Sequence, residues 1–285
     1  MIASAAAFSG MSALVNVSAS HLPVGELVLA RGVITLGLSW LAVRKLQNPW
    51  GNDRKALARR GLLGFFGLTC YYIALARLPI AEATTLHFTT PLLTTVLAWR
   101  LLGERVGWPA LLALVVGFSG VAVISQPAQI SHAGGLDGLG VAVALAGAVF
   151  SALAYVQVRD LTAREDARVI VFYFPLIATP LAVPWAAADF VVPGPLQLLA
   201  LLGIGVTTQL GQTFLTRGLA LERASTATAV GYVQVAFAIG WGLLLFDRPL
   251  PASTVAGVVM IGAAVLLIAL GRRNADAVHR VQPPA

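Results

Sequence analysis

Residues 74–105 read ALARLPIAEATTLHFTTPLLTTVLAWRLLGER. From Ala81 to Leu102 every residue is apolar or a small hydroxyl, apart from Glu82, His87 and Arg100. A helix needs about 20 such residues to cross a bilayer core, so this stretch predicts a membrane span. A looser copy comes later. Gly218-Leu219-Ala220 stands for Ala74-Leu75-Ala76, Ser225-Thr226-Ala227 for Ala81-Glu82-Ala83, and Asp247-Arg248 for Glu104-Arg105. Phe8-Ser9 matches Phe150-Ser151 and Gly120 matches Gly262, all at an offset of 142–144 residues. Each match is weak in alanine-rich sequence; their order and near-constant offset carry the repeat.

Working outward, ten spans can be drawn, at approximately 2–20, 24–46, 61–78, 81–102, 107–125, 137–158, 168–188, 195–217, 224–246 and 251–271. The whole composition agrees. Of 285 residues 58% are hydrophobic and 11% charged, and mean hydropathy is +0.84. A soluble domain carries roughly a quarter charged residues, so lipid is the expected solvent. The connections are short and rich in Pro, Gly and charge, as in Val192-Pro193-Gly194-Pro195, and leave no room for a soluble domain.

The net charge of +7 is no sign of nucleic acid, because the basic residues form no stripe with interleaved aromatics. They cluster between spans. Arg44, Lys45, Arg54, Lys55, Arg59 and Arg60 follow the second, Arg100 and Arg105 close the fourth, and Arg159, Arg164 and Arg168 follow the sixth. Arg217 and Arg223 follow the eighth, and Arg272, Arg273 and Arg280 the tenth. If ten helices alternate, all lie on one side, opposite only Arg77 and Arg248. By the positive-inside rule both termini are expected in the cytoplasm, in a multi-pass protein of the cytoplasmic (inner) membrane. Ser18-Ala19-Ser20 resembles a signal-peptide cleavage site, but no basic segment precedes the first span, and that span has its later copy.

The expected fold is therefore an all-α integral membrane protein of ten helices. It divides into repeats at 1–126 and 137–272, with a cytoplasmic tail at 273–285. Five helices is an odd number, so the second repeat enters from the opposite side. Inverted repeats around a midplane site give secondary transporters two exchangeable conformations.

These residues resemble the EamA type of the drug/metabolite transporter superfamily. The most specific stretch runs from Tyr72 to Ala83, then Pro91, then Leu102-Gly103-Glu104-Arg105, with Val235 standing in the second half where Pro91 would be. The run Glu26-Leu27-Val28-Leu29-Ala30-Arg31 looks like the second-helix signature of one EamA branch. That branch includes carriers of amino acids, S-adenosylmethionine, riboflavin and other metabolites. The resemblance implies a metabolite transporter and leaves the cargo open; likeness to aromatic amino-acid exporters of the superfamily is at the level of fold.

Candidate cargo-binding residues are charged, polar or aromatic groups inside spans. Arg31 lies about seven residues into the second helix, roughly 10 Å deep. It either holds a substrate carboxylate or phosphate, or pairs with Glu26 or helix-end carbonyls. Thr84, His87, Pro91 and Thr95 share a helix face by their spacing. Pro91 frees a carbonyl, and His87 reads as a substrate contact, a proton-responsive group or an interhelical hydrogen bond. Gln209, Gln212, Thr213 and Thr216 form a polar stripe, with Thr69 and Tyr72 at equivalent positions of the first repeat. Ser9, Ser12 and Asn16 share a face of the first helix. Tyr72, Tyr155, Tyr232 and Trp241 could stack on a planar or cationic group, whereas Trp40, Trp50, Trp108 and Trp185 read as interfacial anchors. Glu104 is expected to pair with a basic loop residue. Gly117, Gly120, Gly257 and Gly262 allow close packing in the bundle or in a dimer.

The candidate cavity set is thus Asn16, Arg31, Tyr72, His87, Pro91, Tyr155, Gln209, Gln212 and Tyr232. Cys70 is alone in an apolar run, and His21, His87, His132 and His279 are scattered, so neither a metal or other cofactor nor a catalytic cluster is expected. A channel would want subunit symmetry or a selectivity filter. The expected activity is secondary transport of small organic metabolites, amino acids or related compounds, outward by alternating access. A larger cargo such as S-adenosylmethionine, riboflavin or a nucleoside is the alternative, and a membrane-embedded enzyme the reading from another class. The partners are a small-molecule substrate and the bilayer, with no nucleic acid, in a monomer or homodimer. No acidic residue lies near a midplane, which favours exchange or facilitated diffusion over antiport through a buried carboxylate.

Overall fold

Asp53, Asp137 and Asp166 each stand just ahead of a helix, and each carboxylate accepts a backbone N–H of the first turn, from Ala56, Leu139 and Arg168. Gly103 closes another helix in the left-handed conformation, with its N–H on the Ala98 carbonyl. The computed structural model describes residues 1–18, 21–78, 80–125, 137–246 and 252–281. Among these the chain is all-helical. The helices are α1 (Ile2–Ser18), α2 (Val24–Val43), α3 (Arg54–Arg77), α4 (Ile80–His87), α5 (Thr90–Leu102) and α6 (Trp108–Ser125). They continue as α7 (Gly138–Leu161), α8 (Ala167–Ala188), α9 (Pro195–Leu221), α10 (Ala224–Val230), α11 (Val233–Phe246) and α12 (Ala252–Val281).

Six helices among the described residues are long and apolar enough to cross a membrane, taking α10 and α11 together as one. Their outward faces are apolar: Leu196, Leu199, Leu244, Val259 and Leu266 are all exposed. The protein is a helical membrane protein, with lipid covering what water would otherwise wet. Two helices differ from the drawn spans in where they begin or end. α3 begins at Arg54 rather than 61, because Asp53 caps it there. α12 continues to Val281, through much of the stretch expected as a tail. Asp247, Arg248 and Pro79, used above for the repeat and the resemblance, lie outside the described residues.

The fourth and ninth drawn spans are each interrupted, so Thr84 and His87 do not share one continuous helix with Pro91 and Thr95. α4 gives way to α5 at Phe88-Thr89, and α10 to α11 at Gly231-Tyr232. Pro91 cannot donate to the His87 carbonyl, which would be its partner in an unbroken helix. The Thr90 hydroxyl donates there instead (2.6 Å), and Thr89 likewise serves the Leu86 carbonyl (2.6 Å). The second break has no proline and falls at Gly231, a weak helix former. The breaks meet: the Tyr232 hydroxyl donates to the Phe88 carbonyl at 3.2 Å, and the two rings lie 6.0 Å apart. Tyr232 is fully buried and belongs to a core with Leu114, Val121 and Ile261.

Helix pairing is symmetric about the middle of the chain. α1 packs along α9 and α3 along α7; α1 also meets α11, and α5 meets α7; α3 touches α8, and α2 touches α9. Exchanging the halves turns each of these contacts into its companion. α2–α8 and α6–α12, the two remaining large interfaces, map onto themselves. In the second of these, a Cβ on Gly120 would lie 2.8 Å from the Gly257 carbonyl, and one on Gly257 would lie 2.5 Å from the Gly120 carbonyl. Only glycine at both positions lets these backbones approach so closely.

Candidate functional site

A cavity of about 260 Å³ opens where the two breaks meet. Side chains from α1, α2, α3, α7, α8, α9 and both break regions line it; α6 and α12 contribute none. The cavity lies at the junction of the halves, and the interrupted backbone beside it has polar partners.

Of the nine candidates, the structure brings Arg31, Tyr72, His87, Pro91, Tyr155 and Gln212 to this one cavity. Arg31 is buried, with Nη1 3.8 Å from the Met11 sulfur and its guanidinium carbon 5.8 Å from the centre of the Phe174 ring. Its possible partner Glu26 is engaged elsewhere, accepting the Val191 N–H at 3.2 Å. The His87 ring lies 4.3 Å from that of Tyr71, and its Nδ1 is buried with no hydrogen-bond partner in the protein.

The other three lie away from the lining. Asn16, near the end of α1, is exposed. Gln209 accepts the Ser39 hydroxyl at 2.9 Å, tying α9 to α2. Tyr232 is consumed by the contact between the breaks. Trp241 donates to the Ser9 hydroxyl at 3.3 Å and is likewise not a lining residue.

Arg60 is a charged lining residue that sequence reading missed, because it sits among basic residues that look like a cytoplasmic loop. It is 2% exposed and donates from Nη2 to Gln212 Oε1 at 3.1 Å. Its guanidinium carbon lies 5.0 Å from the centre of the Phe174 ring. Among the described residues the lining therefore holds two guanidinium groups, one imidazole and no carboxylate. Buried cations usually find an anion, and the described ion pairs give these two none.

The comparisons agree with this architecture. The model of the EamA-like transporter family matches residues 1–126 and 138–270. The chain belongs to that family. Its members are transporters, not enzymes, and membrane embedding and a small-molecule substrate follow. The pseudopaline exporter CntI of Pseudomonas aeruginosa is 36% identical, over 93% of this chain and 92% of its own. An uncharacterised transporter of Helicobacter pylori is 26% identical over 92% and 91%. An S-adenosylmethionine uptake transporter of Rickettsia conorii is 27% identical over 76% and 72%. A solved crystal structure superposes with a TM-score of 0.80 over 96% of each chain at 18% identity, a likeness of fold.

Glu104 and Arg159 form an ion pair that binds helix ends. Glu104 accepts Arg159 Nε at 2.9 Å and the Ala224 N–H at 2.8 Å, while Arg159 also donates to the Leu219 and Ala220 carbonyls. One carboxylate thus joins α5, α7 and the start of α10.

Proposed function

We propose that this chain is a secondary carrier that exports a small, carboxylate-bearing organic metabolite, an amino acid or a related compound, by alternating access. In this reading ten spans form two inverted repeats, 1–126 and 137–272, with both termini in the cytoplasm of a bacterial cell. The observation that carries it is the cavity at the junction of the halves, bordered by both breaks, in which Arg31 meets no carboxylate among the described residues. A guanidinium so placed binds a carboxylate in fork geometry. The asymmetry of Lys and Arg supports the orientation. The similarity to an exporter over nearly the full length of both chains supports the direction.

The uptake relative raises a rival cargo. S-adenosylmethionine carries a sulfonium cation, and this lining offers it no carboxylate. That no described lining residue is acidic also favours exchange or facilitated diffusion over antiport through a carboxylate.

Radiolabelled counterflow in proteoliposomes tests the reading, with amino acids, S-adenosylmethionine, riboflavin and nucleosides as the panel. Saturable exchange of an amino acid or related acid that persists without a pH gradient is the expected result. Exchange of S-adenosylmethionine alone, or strict dependence on the pH gradient, would overturn it.

A further inference from the structure

Arg60 has no role in a carrier that needs one carboxylate anchor. Its position was costly to build. The side chain is buried six residues after the start of α3, and only Nη2 has a protein acceptor. Nε and Nη1 are buried with no hydrogen-bond partner among the described residues. Leaving such donors unmet is expensive, and for a charged group more so. Arginine that merely anchors a loop would extend to the surface, as its neighbour Arg59 does in reaching Gln157.

Phe174 relates Arg60 to Arg31. The guanidinium carbons lie 5.0 and 5.8 Å from the centre of its ring, and those two distances together are the most that can separate them. α2 and α3 are successive helices joined by residues 44–53, so their starts lie at opposite ends of the hairpin. The two arginines therefore approach one cavity from opposite ends.

We propose that Arg60 is a second anion-binding residue and that the cargo carries two anionic groups, one held by Arg31 and the other by Arg60. This rests on the reading of the cavity as the cargo site. Gln212 takes Nη2 and leaves Nε and Nη1 without a hydrogen-bond partner among the described residues. Phe174 sets the spacing and supplies an apolar floor for the carbon chain between the charges. The cargo class is then a small dianionic or polyanionic organic acid, with or without an amino group.

The test measures binding to the purified full chain in lipid nanodiscs, by calorimetry, for propionate, butyrate, succinate, glutarate and adipate. One dicarboxylate is expected to bind at least about tenfold more tightly than the monocarboxylates, as one further charge-assisted bond implies. Arg60→Gln should remove that preference, bringing the ratio of dicarboxylate to monocarboxylate affinity to about one; Arg60→Lys, which keeps the charge, should retain part of it. Equal affinity for mono- and dicarboxylates, no binding of any dicarboxylate, or a preference that survives Arg60→Gln in folded protein would each overturn the proposal. The wild-type comparison decides even if the glutamine variant does not fold. If counterflow of an amino acid persists while the dicarboxylate preference is missing, only Arg60's role fails. If no carboxylate of either kind binds or exchanges, the anion-carrier reading fails with it.

Discussion

Two buried guanidinium groups, Arg31 and Arg60, stand in the cavity lining. Arg31→Ala is expected to abolish counterflow of an anionic or zwitterionic substrate in protein that elutes and melts like the wild type. Normal transport by such a variant would remove the carboxylate anchor. The His87 ring packs on Tyr71 while its Nδ1 meets no protein group. His87→Phe should keep the stack and the fold but weaken cargo binding several-fold; unchanged affinity would assign the ring to packing alone. At the protein's edge, Asp137 is hydrogen-bonded by Arg77, whose guanidinium holds its carboxyl below the ordinary carboxylate range. A depressed carboxyl stabilises the fold above its unfolded value of about 3.9 and stops doing so as pH falls through the lower folded value. Asp137→Asn should therefore leave the pH dependence of melting between pH 5 and 8 unchanged, and only below about 4 should the profiles of the two proteins differ. Arg31 was legible because a charge stood alone in an apolar run. Arg60 was not, because at the border of a span one basic residue looks like the next until the helix start is fixed.

At the scale of elements, the two broken helices are the distinctive feature, and each is held by side chains rather than left open. The Tyr232 hydroxyl joins them through the Phe88 carbonyl, in a buried site made possible by Gly117, where a Cβ would lie 2.6 Å from the Tyr232 ring. Tyr232→Phe should cost about 1 kcal/mol of stability, the net worth of one hydrogen bond. A larger loss of transport than of stability would place this contact in the conformational cycle. The Glu104 carboxylate is a second tie between elements. Its bonds to Arg159 and the Ala224 N–H are charge-assisted and mostly shielded, so Glu104→Ala should destabilise by about 2–3 kcal/mol, read as a lowered midpoint of thermal unfolding. That Glu104 would meet a basic partner was legible from its place at a helix end. That the partner would be Arg159 was not, since 55 residues separate them.

At the scale of the whole molecule, the halves interlock. Glu165, in the second half, accepts the backbone N–H groups of Asn52 and Asp53 at 2.8 and 2.6 Å, clamping the loop between α2 and α3. The glycine faces of α6 and α12 meet each other within one chain, which assigns Gly120 and Gly257 to the bundle. Gly120→Leu should therefore impair folding, seen as loss of the monodisperse peak on size exclusion, rather than alter oligomeric state in otherwise intact protein.

The sequence by itself determined that lipid is the solvent and that the family is one of transporters. Each is a property of composition or of order along the chain: too few charges to wet a surface, a signature stretch. Tertiary structure alone decided which polar residues share the cavity. Gln209 and Gln212 are three apart on α9, yet one is spent on Ser39 and the other turns to Arg60. Tyr232 carries a polar handle suited to a cargo, yet the handle closes a junction between helices. A polar side chain in a membrane must find a partner, and periodicity says only that it faces inward. Whether that partner is a neighbouring helix or the cargo depends on how α1–α12 are placed around it.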